Sequence, residues 1–336
     1  NDTTTGCYFD TAAFTVVPFN TIDVVATATT PVNCFGDSNG AIAINVSGYT
    51  GAYNYQVFNS LGLAVTGIVA ANTGTNPQAI TGLPADNYTV VVTETASPFC
   101  IKTSNVVTVG SPSAAVSISA ITVNDNCNVN AGQIVADAQG GTAPYLYQIL
   151  PIASMPPLVT EPGWSSTNTL NAESGSYVIY VKDANDCPQS QPVTIGLDPT
   201  PVVAAVLNNQ CTPTEGNFAI DVTLTTAGIT PYSYSIDGGV FQSQTAPFSI
   251  TGLSSGPHTV EVKDKNGCGN LVSVNILAPL GLTPTVTALP SCANNDGAIT
   301  VNATGGSVPA NYTYSISPSA GTLVGNVFTN LPANTY

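Results

Sequence analysis

Positive charge is almost absent from this chain. Its 336 residues include no arginine and only four lysines, against 19 acidic side chains, for a net charge of −15. Nucleic-acid binding needs clustered cations to neutralise phosphates, so the composition excludes it. An anionic membrane surface would repel the chain for the same reason. Charged residues make up only 7% of the sequence, far below the usual quarter, and this weakly charged surface suits an extracellular setting.

Residues for metal and nucleophilic chemistry are also scarce. The chain has one histidine, His258, and no Cys-x-x-Cys, so a thiolate zinc site is not expected. No nucleophile motif accompanies His258, and we predict that the protein is not an enzyme and needs no cofactor. No run of 18 apolar residues is present, which predicts no membrane span. Neither an initiator Met nor a signal peptide is found, so we expect a fragment of a longer exported protein.

Cysteine, in contrast, is abundant. Eight cysteines beside a single Met indicate an oxidising compartment, and we expect an extracellular, cell-surface location. Four of them begin a sequence pattern that occurs four times. The pattern consists of a cysteine, a turn that contains glycine, a strand, two aromatic residues two positions apart, and a turn with leucine that leads into a last strand. These cysteines are Cys34, Cys127, Cys211 and Cys292, at spacings of 93, 84 and 81 residues. A repeat of this length is a whole small domain.

Alternating hydrophobicity predicts strands throughout, as in residues 218–224 and 258–263. Each repeat yields about seven short strands, the number of an immunoglobulin-like sandwich. We therefore predict an all-β fold, a tandem array of immunoglobulin-like β-sandwich repeats that forms an extended rod, since short proline linkers stiffen the joints. The predicted parts are the end of a preceding repeat at 1–19, repeats at 20–110, 111–198 and 199–279, and a truncated fourth repeat at 280–336.

The motifs resemble the SprB-type repeat of Bacteroidetes surface adhesins. The third repeat fits best, with Cys211, residues 231–234, Leu253, Gly256 and residues 262–268 in register. The first repeat departs from the pattern, because Ala52 replaces a proline and residues 97–100 replace Asp-x-x-Gly-Cys. The resemblance implies a very long filament exported by the type IX secretion route, which serves attachment or gliding. It carries over no catalytic residue.

Three disulfide patterns are open. Pairing within repeats gives Cys34–Cys100, Cys127–Cys187 and Cys211–Cys268, and leaves Cys7 and Cys292 to partners outside the chain; we adopt this pattern. Its difficulty is that a strict seven-strand order puts the two cysteines of a repeat at opposite ends. Sequence neighbours could pair instead, or one repeat could be joined to the next by Cys34–Cys187 and Cys127–Cys268.

A few side chains are candidate ligands. Turn oxygens of Asp37, Asn39, Asp264 and Asp296 are weak calcium candidates, joined by Asp183 and Asp186, although ordinary Asx turns explain them as well. Trp164 lies in the irregular stretch 154–167 and either stacks on a sugar or plugs the end of its sandwich. His258 occupies the column of Tyr88, Tyr177 and Tyr336, where we expect an inward packing residue.

We predict a structural stalk segment of a long secreted adhesin. Its partners would be the other repeats of the same long chain and, through weak multiplied contacts, surface glycans or substrata. One alternative is a subunit of a polymerising extracellular fibre or sheath, since edges poor in lysine permit lateral self-association. A second alternative is a carbohydrate-binding module of a secreted protein.

Overall fold

The computed structural model describes residues 2–10, 12–15, 21–211, 214–292, 294–307 and 312–336. Across these ranges every regular element is a β-strand, as the alternating pattern predicts, and the all-β prediction is confirmed. None of the described segments is a helix long and apolar enough to cross a bilayer.

The first repeat is a sandwich of two antiparallel sheets. One sheet has the order β1-β2-β5; the other has the order β4-β3-β6-β7, with β8 also paired to β6. Inward residues of the two sheets meet in one core, in which Ile42, Val57 and Val90 are fully buried. The strands are β1 Asp23–Thr30, β2 Gly40–Ser47, β3 Tyr53–Phe58, β4 Ala64–Thr73, β5 Gln78–Leu83, β6 Asp86–Glu94, β7 Ile101–Thr103 and β8 Val107–Val109.

The second repeat contributes six strands. Their sheet orders are β12-β10-β9 and β11-β13-β14. The stretch after β11 forms no strand of its own, and it is tied back by a bridge between Tyr147 and Ser165. The strands are β9 Ser117–Val123, β10 Gly132–Gln139, β11 Leu146–Pro151, β12 Thr169–Ala172, β13 Gly175–Lys182 and β14 Pro188–Ile195.

The third repeat has the seven strands that the sequence predicts. A three-stranded sheet, β15-β16-β19, packs on a four-stranded sheet, β18-β17-β20-β21. Phe218 and Ile220 of one sheet share a core with Val260 and Val262 of the other. The strands are β15 Val202–Leu207, β16 Phe218–Thr226, β17 Tyr232–Ile236, β18 Gln242–Gln244, β19 Phe248–Leu253, β20 Gly256–Lys263 and β21 Gly269–Ile276.

In the fourth repeat the described residues form a single sheet, β22-β23-β25-β24. Leu282 lies opposite Ala303 of the next strand, as Val203 lies opposite Leu224 in the third repeat. The two residues therefore hold equivalent positions in their sheets. Val203 is 3% exposed, whereas Leu282 is 62% exposed. Leu282 is therefore open, whereas Val301, Phe328 and Leu331 of the same sheet are buried in a small core. The strands are β22 Gly281–Ala288, β23 Gly297–Thr304, β24 Thr322–Val324 and β25 Val327–Leu331.

By its internal contacts the chain divides into two compact units. The first unit contains the whole first repeat, and the second contains the third and fourth repeats. The second repeat contributes residues to both units, so the repeat boundaries given above stay a prediction. The units comprise Asn1–Ile121, Val135–Leu170 and Ser176–Val193 in the first, and Thr122–Ile134, Asn171–Gly175 and Thr194–Tyr336 in the second.

At equivalent positions of the first, third and fourth repeats, a side chain hydrogen-bonds the backbone carbonyl four residues upstream. The Tyr88 hydroxyl donates to the carbonyl of Pro84 at 2.8 Å, and the Tyr336 hydroxyl donates to that of Pro332 at 3.0 Å. His258 takes this place in the third repeat: Nε2 lies 2.9 Å from the Ser254 carbonyl, also four residues upstream. The packing role predicted for His258 thus includes a hydrogen bond to the preceding turn.

His258 differs from the tyrosines because its second nitrogen also faces an acceptor. Nδ1 lies 2.7 Å from Asp237 Oδ2. Burial acts to lower the pKa of His258, but the hydrogen bonds to Asp237 and to the Ser254 carbonyl outweigh it, and the pKa is raised above its ordinary value. Both acceptors are satisfied only by the imidazolium.

We expect the third repeat to lose stability as the pH rises. A histidine pKa that is raised on folding gives stability that is fully present below the unfolded pKa, about 6.5, and is lost as the pH rises through the folded value. The measurement is the urea midpoint of unfolding between about pH 5.5 and 8, where carboxylates stay ionised. His258→Tyr restores the residue of the other repeats and should remove the slope. An equal slope in both proteins would contradict the assignment.

Candidate functional site: cysteine staples between repeats

Two disulfides join consecutive repeats. Cys34 pairs with Cys187, with Cα atoms 5.6 Å apart, and Cys127 pairs with Cys268, with Cα atoms 5.7 Å apart. Cys34 and Cys127 lie in the turn before the second strand of their repeats, which we call the first position. Cys187 and Cys268 lie in the turn before the last strand, the second position. Each bridge, called a staple below, thus joins the first position of one repeat to the second position of the next.

The predicted pairing within repeats, Cys34–Cys100, Cys127–Cys187 and Cys211–Cys268, is wrong. Five strands, β2 to β6, separate Cys34 from Cys100. An odd number of antiparallel crossings places these cysteines at opposite ends of the sandwich. A strand of eight residues spans about 26 Å, whereas a disulfide requires Cα atoms roughly 4.4–6.8 Å apart.

The alternative that joins one repeat to the next is confirmed at both staples. Pairing of sequence neighbours is excluded at Cys127 and Cys187, since both are already bonded. Cys7, Cys100, Cys211 and Cys292 are free thiols in this structure. That Cys7 and Cys292 pair with residues outside the chain stays a prediction.

A buried aspartate shapes each second-position turn. Asp183 directly follows β13 and is 2% exposed, and its Oδ1 accepts the N–H groups of Asn185 and Cys187, both at 2.9 Å. Its Oδ2 accepts the N–H of Thr142 at 2.8 Å. The carboxylate thereby holds the cysteine's turn against the glycine loop that precedes β11.

The third repeat reproduces this arrangement. Asp264, 6% exposed, accepts the N–H groups of Asn266 at 2.9 Å and Cys268 at 3.0 Å, and that of Ile229 at 3.1 Å. The same three donors in two repeats show that Val-x-Asp-x-x-x-Cys is a rule for positioning the cysteine. The role of this aspartate was not predicted from the sequence, although the recurrence of Asp four residues before Cys187 and Cys268 is a signal that could have revealed it.

Amide side chains flank each staple. At the first staple, Asn185 Nδ2 donates to the Asn33 carbonyl at 3.0 Å. At the second, Asn128 Nδ2 donates to the Asn266 carbonyl at 3.1 Å. Asn266 Nδ2 also donates to Asp198 at 3.0 Å, a residue of the linker between the second and third repeats. Each bridge therefore sits inside a small polar contact between two repeats, in which asparagine replaces the scarce charged side chains.

The calcium candidates lie in different turns. Asn39 Oδ1 accepts the Asn33 N–H at 2.9 Å, next to Asp37, and the oxygens of Asp264 face backbone donors as described. Asp296 accepts the N–H and hydroxyl of Ser291, each at 2.6 Å, and these bonds lower its pKa. Across the described part of the chain, no three His, Cys, Asp or Glu side chains cluster as a metal site would require. Calcium binding stays a prediction, and these contacts give it no further support.

Trp164 is half-buried beside the second-position turn of its repeat. Its Nε1 donates to the Leu158 carbonyl at 3.0 Å, and Lys182 Nζ lies 5.4 Å from the ring centroid. Lys182 also donates to the Val159 carbonyl at 2.7 Å and to Asp186 at 2.8 Å. The cation on the ring and the two carbonyl contacts hold this irregular stretch on β13. Sugar binding at Trp164 stays a prediction.

Fold and staples together define the class of protein: a tandem array of immunoglobulin-like β-domains in which disulfides join the first domain to the second and the second to the third. The family model of the SprB repeat matches three segments of the chain, residues 26–62, 119–154 and 286–321. These segments lie in the first, second and fourth repeats. None falls in the third repeat, so the expectation that it would fit the family pattern best is wrong.

Solved structures match the chain at low identity. One is a tetra-tandem repeat in the extending region of a large adhesion protein, with 13% identity, coverage of 83% of this chain and 80% of that one, and a TM-score of 0.28. Another is an I-band fragment from titin, with 12% identity, coverage of 76% and 96%, and a TM-score of 0.33. A search of curated proteins finds no match.

Peptide mapping without reductant tests the staples directly. Proteolysis of the oxidised chain should release two linked peptide pairs, one with Cys34 and Cys187 and one with Cys127 and Cys268. Both pairs should separate on reduction. A linked pair of Cys34 with Cys100, or of Cys211 with Cys268, would contradict the topology.

Removing one aspartate should weaken its staple. Asp183→Ala leaves three backbone donors without their acceptor, and unsatisfied buried donors cost about 1–3 kcal/mol each. Because water reaches part of the turn, we expect a loss of about 3 kcal/mol in the free energy of unfolding. Asp137→Ala, at an exposed site in the same repeat, is the matched control and should cost less than about 0.5 kcal/mol. Equal losses in the two variants would refute the role of Asp183.

Proposed function

We propose that this chain is a segment of the stalk of a long extracellular adhesin, and that its work is to carry tension between a surface and a distant attachment site. The observation that supports this function is the interleaving of the two staples. Cys127 lies inside the loop closed by Cys34 and Cys187, and Cys187 lies inside the loop closed by Cys127 and Cys268.

Interleaving changes which parts of the chain carry a pulling force. With both bridges intact, three segments connect one bridge to the other: residues 34–127, 127–187 and 187–268. They are 93, 60 and 81 residues long. If every domain unfolded, these segments would lie in parallel, and the shortest would limit the extension.

The difference in length is large. Sixty residues at full extension span about 210 Å, whereas the 234 residues from Cys34 to Cys268 in a reduced chain span about 820 Å. Two covalent bonds therefore hold the stretched length to roughly a quarter of its reduced value. A device of this kind is useful to a protein whose domains unfold repeatedly under load.

Other features agree with a non-catalytic role outside the cell. The repeats are small domains, and disulfides persist in oxidising compartments. The resemblance implies export by the type IX route and a role in attachment or gliding, and both belong to this proposal. Adhesion to glycans or to a substratum would then reside elsewhere or in weak contacts of many repeats.

A polymerising fibre is the second candidate function. Four thiols remain unpaired, and those of Cys7, Cys211 and Cys292 belong to exposed residues. Such thiols could join separate chains covalently. The mass of the native protein with and without reductant distinguishes the two functions: a stalk keeps its mass on reduction, and a fibre falls to small subunits.

Single-molecule pulling from the two chain ends tests the mechanical proposal. In the oxidised chain, residues 34–268 should extend by about 210 Å in total, and reductant should lengthen this to about 820 Å. Cys34→Ala with Cys187→Ala leaves one bridge and a shortest path of 93 residues, about 330 Å. Cys127→Ala with Cys268→Ala leaves 81 residues, about 280 Å.

The order of these four lengths is the critical outcome. Two separate disulfide loops would shorten the chain by the sum of their single effects, whereas these interleaved loops together shorten it by about 610 Å, less than the sum of about 540 Å and 490 Å for the two staples alone. An oxidised chain that extends as far as the reduced one would refute the proposal. So would release of the full length before any domain unfolds.

A further inference from the structure

The outer face of the sheet β4-β3-β6-β7 in the first repeat differs from the same face in the next two repeats. Its outward side chains form two rows across the strands, Val69–Gln56–Val91 and Asn54–Thr93–Ile101. We call this surface the neutral face. We propose that it binds the neutral face of a second copy of this chain about a two-fold axis, and so joins one chain laterally to another.

The neutral face carries no charged side chain. Its strands β3 and β4 belong to residues 38–85, which contain no acidic or basic residue. The charged residues of β6 and β7 are Asp86, Glu94 and Lys102, and they alternate with the outward residues. Glu94 is 3% exposed, and Lys102 Nζ lies 3.1 Å from Asp23 of the opposite sheet. This face is therefore neutral in a chain with a net charge of −15.

In the second and third repeats the same place holds a lysine beside an aromatic ring. Thr93, Lys182 and Lys263 occupy equivalent register positions, each one residue before the buried acid of its repeat. Lys182 Nζ lies 5.4 Å from the ring centroid of Trp164, and Lys263 Nζ lies 4.5 Å from that of Phe241. Each lysine also forms an ion pair. The outer faces of these two repeats are thus charged and partly covered by the chain itself.

The neutral face of the first repeat is open in comparison. Val69 is 59% exposed and Ile101 is 66% exposed. A shallow depression of about 180 Å³ runs across the face, and its lining includes Asn54, Gln56, Val69, Val91 and Thr93. Removal of exposed aliphatic side chains from water favours a contact with another surface.

The chemistry of the neutral face fits a copy of itself. The side chains of Asn54, Gln56 and Thr93 each contain a donor and an acceptor, so two identical faces satisfy one another about a two-fold axis. Neither an acidic nor a basic partner finds an opposite charge here. Two copies that each carry a charge of −15 repel one another, and the neutral face is where they approach without bringing like charges together.

The size of the face predicts a weak contact. Six residues of about 3.3 Å along each of four strands about 4.8 Å apart give roughly 400 Å² per copy, and a pair buries roughly 800 Å². Contacts of this size are transient, and we expect a dissociation constant of about 100 µM. Stalks with many repeats would gain avidity from such contacts. The inference therefore goes beyond the stalk function, because it identifies a surface that joins neighbouring stalks.

Sedimentation equilibrium of the full 336-residue chain measures this association. The free thiols are first blocked with N-ethylmaleimide, so that only non-covalent pairs form, and the two staples do not react. Protein at about 10–500 µM brackets the expected constant, and we expect an equilibrium between monomer and dimer. A chain that stays monomeric over this range in about 0.1 M salt would overturn the proposal.

Two substitutions of opposite charge test whether the neutral face forms the contact. Val69→Glu and Thr93→Lys each bring like charges together across the two-fold axis, and each should weaken the dimer at least about tenfold. An effect of net charge alone would act in opposite directions in these two variants. Val25→Glu is the matched control, because Val25 is 50% exposed on β1 of the same repeat. It should change the dissociation constant less than about twofold.

Equal constants for Val69→Glu and Val25→Glu would show that the contact lies elsewhere, and so would a tighter dimer in Thr93→Lys. The urea midpoint of each variant shows whether its fold is intact. If Val69→Glu lowers that midpoint, Thr93→Lys decides the question alone, since the second and third repeats already carry lysine at this place.

Salt provides an independent readout. An increase from about 0.01 to 0.1 M shortens the screening length from about 30 Å to about 10 Å. The repulsion between two acidic copies then weakens, and the dimer should tighten. A dimer that dissociates as salt is added would depend on ion pairs and would overturn the proposal. None of these outcomes depends on the stalk function, which the pulling experiment tests separately.

Discussion

The structure depends on one topological constraint: in the first and third repeats, an odd number of strands, five, separates the two cysteine positions. In the first repeat, β2 to β6 carry the chain from Cys34 at one end of the sandwich to the other end, where Cys100 lies. A disulfide cannot bridge that length. The bond must therefore leave the repeat, and the nearest cysteine of the correct kind is in the next one. The end of the sandwich at which a cysteine lies, and not its distance along the sequence, decides which cysteine it pairs with.

The second-position aspartate holds its cysteine in place for a bond to another repeat. A disulfide between two domains needs both cysteines held in place, and Asp183 and Asp264 each fix their cysteine's turn through three backbone donors. In a chain with four lysines and no arginine, few side chains could pair with these carboxylates. Backbone N–H groups satisfy them instead, and asparagine amides complete the contacts between repeats.

The strand pattern could be predicted from sequence because alternation reflects burial on a sheet, and His258 was correctly placed among the inward residues. The pairing of cysteines could not be derived in the same way. Even spacing leaves several connectivities open, and the choice follows from how two sandwiches meet, which no local pattern encodes. The same limit applies to Asp264: its sequence neighbours suggest a turn, whereas its third donor, the Ile229 N–H, is 35 residues away.

Linking the first repeat to the second, and the second to the third, couples domains that are individually marginal. A domain of 80–90 residues buries little core, and closing a loop of 153 or 141 residues removes about 5 kcal/mol of unfolded-chain entropy in the simplest model. Because the loops overlap, residues 127–187 belong to both, and the unfolding of the second repeat is opposed by two bridges rather than one. Bridges within repeats would stabilise each domain equally well but would leave the joints uncrossed. Disulfides that connect consecutive repeats instead oppose the separation of neighbouring domains.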